Sequence, residues 1–127
     1  MTRWNATCGV SVHAELIGRE WVKKGHKLTV FAPRNYMRTT PVDVEDEDYV
    51  VRCYEDPKRG SSSTGGRRET KYPEVKHFDS EALLGGDYDF FVVQNLETLP
   101  MLDLLKIYPR IREKAKTVLV IHEGYLP

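Results

Sequence analysis

The chain has 127 residues, enough for one domain with its own core. Nineteen Lys and Arg balance nineteen Asp and Glu, so bulk charge draws it neither to nucleic acid nor to a membrane surface. The longest apolar runs fall far short of a bilayer span, no secretory pattern is present, and Cys8 and Cys53 form no CxxC pair, so free thiols in a reducing cytoplasm are the expectation.

Residues 1–7, MTRWNAT, carry Trp4 as their one strong apolar side chain. A first strand there is either very short or begins in a longer chain, and the longer chain is the favoured expectation. Residues 11–24 repeat apolar positions at helical spacing: Val10, Ala14, Ile17 and Trp21 form a stripe widened by Leu16 and Val22, with Glu15, Arg19 and Lys23 on the other side. Ser11 is the expected N-cap. Gly25 is the expected C-terminal cap, because glycine enters the left-handed region without a Cβ clash. Residues 28–32 then read as a strand buried on both faces and therefore parallel, stopped by Pro33.

Residues 34–40 read as a polar loop. Residues 43–48, DVEDED, hold five acids and read as solvated acids, with cation chelation the lesser alternative. Residues 49–54, YVVRCY, are strand-like. Residues 57–71 are rich in Gly, Ser and basic side chains, lack the phosphate-loop pattern, and read as a mobile surface loop; Lys58, Arg59, Arg67 and Arg68 make phosphate binding the competing reading. Residues 75–78 suggest a short strand, and 80–84 a helical turn capped by Ser80. Residues 90–93 suit a central parallel strand with Gln94 and Asn95 at its tip. Residues 96–107 repeat a helical pattern with Pro100 in its first turn, Pro109 follows, and 117–121 form the last strand.

These alternating units predict an α/β fold: a three-layer, Rossmann-like parallel sheet with flanking helices and an incomplete first strand. Ligands of such sheets bind outside the carboxyl ends of the strands. Four stretches should meet there: the turn at Gly9, the loop after Pro33, residues 94–97 and residues 122–124. His122 directly follows an apolar strand, where an imidazole can take a proton from a hydroxyl or donate a hydrogen bond to one, and Glu123 can orient it or neutralise a cation. A strand-end cap bonded to a neighbouring carbonyl is the competing reading. The turn at Gly9 offers backbone N–H groups to an anion, but it is not GxGxxG. His13 reads as core-edge, His26 as packed against the sheet, and His77 as surface.

Gly9 with Val10, His13 and then GHKLTVFAP at 25–33 resemble the glycine loop and the following GH-containing strand segment of retaining glycosyltransferases with two Rossmann-like domains, the glycogen-synthase and phosphatidylinositol-mannosyltransferase type. DYDFFVVQN at 87–95 and TVLVIHEGY at 117–125 are similar to two later strands of that family, the second ending in a histidine. The resemblance implies that residues 1–127 are the acceptor-side domain, with the nucleotide-sugar domain absent and no transfer by this part alone. It implies the glycine-loop role for Gly9 and Val10, the active-site histidine in His122, and an acceptor pocket shaped by Gln94 and Asn95. Val92 and Gln94 replace histidines usual in the family, and Cys8 stands where its glycine is doubled, which leaves the substrate undefined. The implied partners are a nucleotide-sugar donor and a sugar or polyol acceptor, which a membrane can carry; no metal or other cofactor is implied. Self-association through a lost interdomain face, a nonenzymatic binding module and a homodimeric sugar-phosphate or nucleotide enzyme are the alternative expectations.

Overall fold

The computed structural model describes residues 1–34, 45–57 and 74–122. The loop after Arg34, Asp43, the basic stretch from Lys58 to Lys71 and Glu123 lie outside the described residues. The elements in chain order are α1 (Gly9–Lys23), β1 (Val30–Pro33), β2 (Val50–Tyr54), α2 (Ser80–Leu84), β3 (Phe90–Gln94), α3 (Met101–Lys114) and β4 (Lys116–Val120), with a 3-10 turn at Leu96–Thr98. β1 pairs in parallel with β2, and β3 with β4. The described residues thus form a mixed α/β arrangement of two parallel two-stranded sheets and three helices.

Met1 and Thr2 join the two sheets. The Met1 amino group donates to the Val92 carbonyl at 2.7 Å, and the Gln94 N–H donates to the Met1 carbonyl at 3.1 Å, the bonding pattern of a parallel pair centred on Val93. On the other side the Thr2 N–H donates to the Phe31 carbonyl at 3.0 Å. Continuing that ladder would require an N–H from Pro33, which has none. The Thr2 carbonyl instead receives the hydroxyl of Tyr54, a fully buried side chain, at 3.4 Å. The place of a first strand is therefore taken by a pair of residues hydrogen-bonded to β1 and β3, and both are buried. Burial also lowers the Met1 amino pKa from 8.0 to about 5, against a weaker opposing influence from Cys53.

β1 is buried along its whole length, as expected of this run, but it starts two residues later than expected and includes Pro33, while Leu28 is half-buried and Thr29 exposed. Its side chains alternate between two cores: Phe31 joins the cluster of Tyr54, Leu83, Phe91 and Leu104, whereas Val30 and Ala32 pack with Trp4 and Ala14 of the α1 side. Packing of α1 corrects the expected stripe. Its buried residues are Ser11, Ala14 and Gly18, while Leu16 and Trp21 are exposed. The helix sits too close for large side chains: a Cβ on Gly18 would lie 3.0 Å from the Trp4 ring and 3.1 Å from Leu28. Small residues thus mark the buried face.

The caps also differ from expectation. α1 starts at Gly9 with Cys8 as N-cap, and Ser11 is buried in the first turn, where its hydroxyl accepts the Ala6 N–H at 3.0 Å and donates to Glu15 at 2.8 Å. The far end agrees: Gly25 has φ +88°, and the N–H groups of Gly25 and His26 donate to the carbonyls of Val22 and Trp21, the two bonds of a Schellman cap. His26 is exposed rather than packed on the sheet, because that cap turns it outward. α2 is capped by Asp79, whose carboxylate accepts the Ala82 N–H at 3.1 Å, and not by Ser80. The expected strand at 75–78 reduces to one antiparallel bridge between Tyr54 and Phe78.

α3 begins after Pro100 and runs through Pro109 to Lys114, seven residues beyond the expected end at Ile107. Pro109 removes the N–H due to the Leu105 carbonyl, but both residues are exposed, so water can serve that carbonyl. Lys114 then ties α3 to the chain after α2 by donating to the Leu84 carbonyl at 2.6 Å and to the Gly86 carbonyl. Phe91, Val93 and Leu119 face α3 across a cavity of about 140 Å³ that Leu104, Leu105 and Tyr108 also line. By strand alternation Gln94 belongs to the opposite face. Cys8 and the buried Cys53 are free thiols, and burial pushes the Cys53 pKa up to about 11.

Candidate functional site

The carboxyl ends of the strands carry two different groups of polar side chains. Near β2, Arg52 donates to the Pro33 carbonyl at 2.9 Å and the Trp4 carbonyl at 3.0 Å while forming a two-point bond to Asp46 at 2.9 and 2.7 Å. Arg3 binds Asp56 in the same forked way at 2.8 and 3.2 Å. Glu47 accepts from the Trp4 indole at 2.8 Å and from Arg19 at 3.0 Å. Burial alone would raise the Glu47 pKa, but the Trp4 indole, its own backbone and Arg19 together leave it lowered. Asp46 and Glu47 are therefore not merely solvated: they anchor arginines that close this edge. Among the described residues no group of three His, Cys, Asp or Glu side chains is placed to hold a metal ion.

Near β4, the ring of His122 stands with Nε2 2.8 Å from Gln94 Oε1. Gln94 is the last residue of β3 and is 4 % exposed. His13, on the second turn of α1, meets His122 edge to face, with ring centroids 4.7 Å apart and an interplanar angle of 89°. Its Nδ1 is buried and has no hydrogen-bond partner among the described residues. Desolvation, and then the neighbouring His13, lower the His122 pKa, which favours the neutral ring. Two imidazoles and an amide can exchange hydrogen bonds with hydroxyl groups. The cluster supplies no fixed positive charge for a phosphate.

The other expected site residues are placed less centrally. Asn95 sits at the β3 tip with φ +60°, a left-handed conformation that asparagine tolerates. Its N–H donates to the Val120 carbonyl at 3.1 Å, and its carbonyl accepts the Thr98 hydroxyl at 3.1 Å, so its backbone starts the following turn. Gly9 is the exposed first residue of α1, and a Cβ built there meets nothing within 4 Å. The tight turn lies upstream, where Asn5 has φ +51° and the Cys8 N–H donates to the Ala6 carbonyl. Val10 is half-buried in the first helical turn.

His13 was not among the residues the sequence put in the site. Its signal is positional: it lies four residues after Gly9, hence on the same helix face, in the part of α1 nearest the strand tips. Arg52, the one charge in an otherwise apolar strand, is the corresponding signal near β2. His77 is exposed as expected, 3.8 Å from Glu55. Among the described residues no helix is long and apolar enough to cross a membrane. No family model matches the chain, and no solved structure matches it.

Proposed function

We propose that the chain is a three-layer, Rossmann-like domain forming the acceptor side of a retaining glycosyltransferase, with most nucleotide-sugar contacts supplied by a second domain. The observation that carries this reading is the meeting of His13, Gln94 and His122 at the carboxyl ends of the parallel strands, beside the first turns of α1. Parallel α/β sheets bind ligands at that end. In this reading the neutral His122 ring contacts a sugar or polyol hydroxyl, and Gln94 and Asn95 shape the pocket. Gly9 and Val10 border the path of the donor diphosphate, whose charge backbone N–H groups at the start of α1 would meet. With one wall of the cleft, the chain binds and does not transfer.

Heteronuclear NMR of the folded chain with UDP- and GDP-sugars, simple polyols and sugar phosphates tests this. Shifts confined to Gly9, Val10, His13, Gln94, Asn95 and His122 are expected. Silence across the panel with a well-dispersed spectrum counts against the reading, as does measurable sugar transfer by the isolated chain.

A nonenzymatic binding module is the second reading, and the apolar exposure of β4 favours it. Val118 is 41 %, Leu119 42 % and the adjacent Ile121 54 % exposed, apolar surface of the kind a partner covers. Sedimentation analysis showing self-association, with no ligand shifts at the strand tips, would put this reading first.

A further inference from the structure

The geometry points to Gln94 as the positioning residue that holds His122 in the Nε2–H tautomer, leaving Nδ1 as a bare acceptor for a ligand hydroxyl. This rests on the reading of His122 as a hydroxyl-binding group. The amide oxygen facing the ring can only accept, so the 2.8 Å contact from Gln94 Oε1 is completed by a proton on Nε2. Gln94 is the partner on the more firmly bonded backbone. It is buried on β3, its N–H is bonded to the Met1 carbonyl, and the N–H of the next residue is bonded to the Val120 carbonyl. His122, two residues beyond β4, therefore adapts to Gln94. His13 packs edge to face against the ring at 4.7 Å and restricts its rotation away from the amide.

A neutral imidazole has one N–H, so a proton fixed on Nε2 leaves the lone pair on Nδ1. Among the described residues, no carboxylate is hydrogen-bonded or ion-paired to the ring to favour a second proton. Among the described residues, His13 is the titratable group that faces it, and a second positive charge there would repel the first. The site thus selects a hydrogen-bond donor such as a sugar or polyol hydroxyl over an anion, which would require the imidazolium. A strand glutamine at this place does more than fill space: it decides which ring edge is presented.

Ring nitrogen NMR of the 127-residue chain at pH 8 tests the assignment without any ligand. His122 should show a pyrrole-type Nε2 with an N–H proton protected from exchange, and a pyridine-type Nδ1. Q94M should lose the protected proton and bind sorbitol about fivefold more weakly, the worth of one hydrogen bond. Q94E keeps an acceptor at the same place and should retain the Nε2–H. Its carboxylate also favours the imidazolium, so sorbitol binding should be weak at neutral pH and recover as the ring deprotonates. A purely structural role for Gln94 would not produce that pH-dependent recovery. A proton found on Nδ1 in the unsubstituted chain overturns the inference, and so does a protected Nε2–H that survives in folded Q94M. If the ring is as described and sorbitol does not bind, the role of Gln94 stands and the sugar-transfer reading fails.

Discussion

The two edges of the strand-tip region treat polar groups in opposite ways. Near β2, three guanidinium groups are matched: Arg52 to Asp46 and two carbonyls, Arg3 to Asp56, Arg19 to Glu47 and Glu15. Near β4, the polar groups are two imidazoles and an amide, and His13 Nδ1 is buried without a partner among the described residues. These paired arginines hold backbone ends together and have little bonding capacity left. A cluster with an unmet ring nitrogen costs folding free energy, and that deficit is what a ligand could remove. The arginine edge is thus the framework, and the histidine edge is where recognition is expected.

Met1 belongs to neither edge and links both, and it gives the largest expected effect. Its amino pKa is about 5 in the folded chain against 8.0 when exposed. Between those values the unfolded chain holds the proton more readily, so stability present above pH 8 is lost as the pH falls toward 5. Three units correspond to roughly 4 kcal/mol. Acetylating the amino group keeps an N–H for Val92 and removes the charge. Urea unfolding between pH 8 and 5 should show a steep fall for the free amine and a much flatter profile for the acetylated chain. A slope unchanged by acetylation would remove the buried amine as its cause and weaken the view of Met1 as the joint between the two edges.

Arg52→Met comes next. The substitution keeps much of the stem but strips the Pro33 and Trp4 carbonyls of their donor and leaves Asp46, half-buried, with its Asn5 bond and without this guanidinium. Loss of one partner from such a partly buried set should cost about 2–3 kcal/mol in urea unfolding. Ring signals of His13 and His122 should stay where they are. Movement of those signals would mean that the two edges are coupled, and their separate roles would have to be given up.

The same contrast explains how far the residues alone could be read. β1 and the end of α1 are legible because each rests on a local requirement: an unbroken apolar run for a strand buried on both faces, and a glycine for a left-handed cap. The strand-tip positions of Gln94 and His122 follow from the same alternation. What the residues do not display is how near the elements stand. Leu16 and Trp21 look like core and are exposed, because contact with Trp4 requires Gly18 and Ala14 on the buried face. Asp46 and Glu47 look solvated until Arg52 and Arg19 arrive from other elements. Pro109 looks like an ending, but its exposed side of α3 tolerates the missing bond. His13 enters the site only when α1 is laid beside β4, a tertiary fact with no trace in helical periodicity beyond its spacing from Gly9.

The smallest expected effect on stability is the most informative about recognition. Gly9 opens α1, is exposed, and has empty space where a Cβ would go. Gly9→Ala should therefore leave the midpoint of urea unfolding unchanged or raise stability by less than about 1 kcal/mol, since alanine is the better helix former. If a donor diphosphate passes against the first turn of α1, the added methyl should still weaken nucleotide-sugar shifts at Val10 and His13, while polyol shifts at Gln94 and His122 persist. That split would place two ligand groups on one strand-tip region, one at the helix and one at the histidines. Equal nucleotide-sugar shifts in both proteins would confine recognition to His13, Gln94 and His122 and deprive Gly9 of any part in it. A loss of stability would instead mean that the space beside Gly9 is filled, and the glycine would then be explained by packing alone.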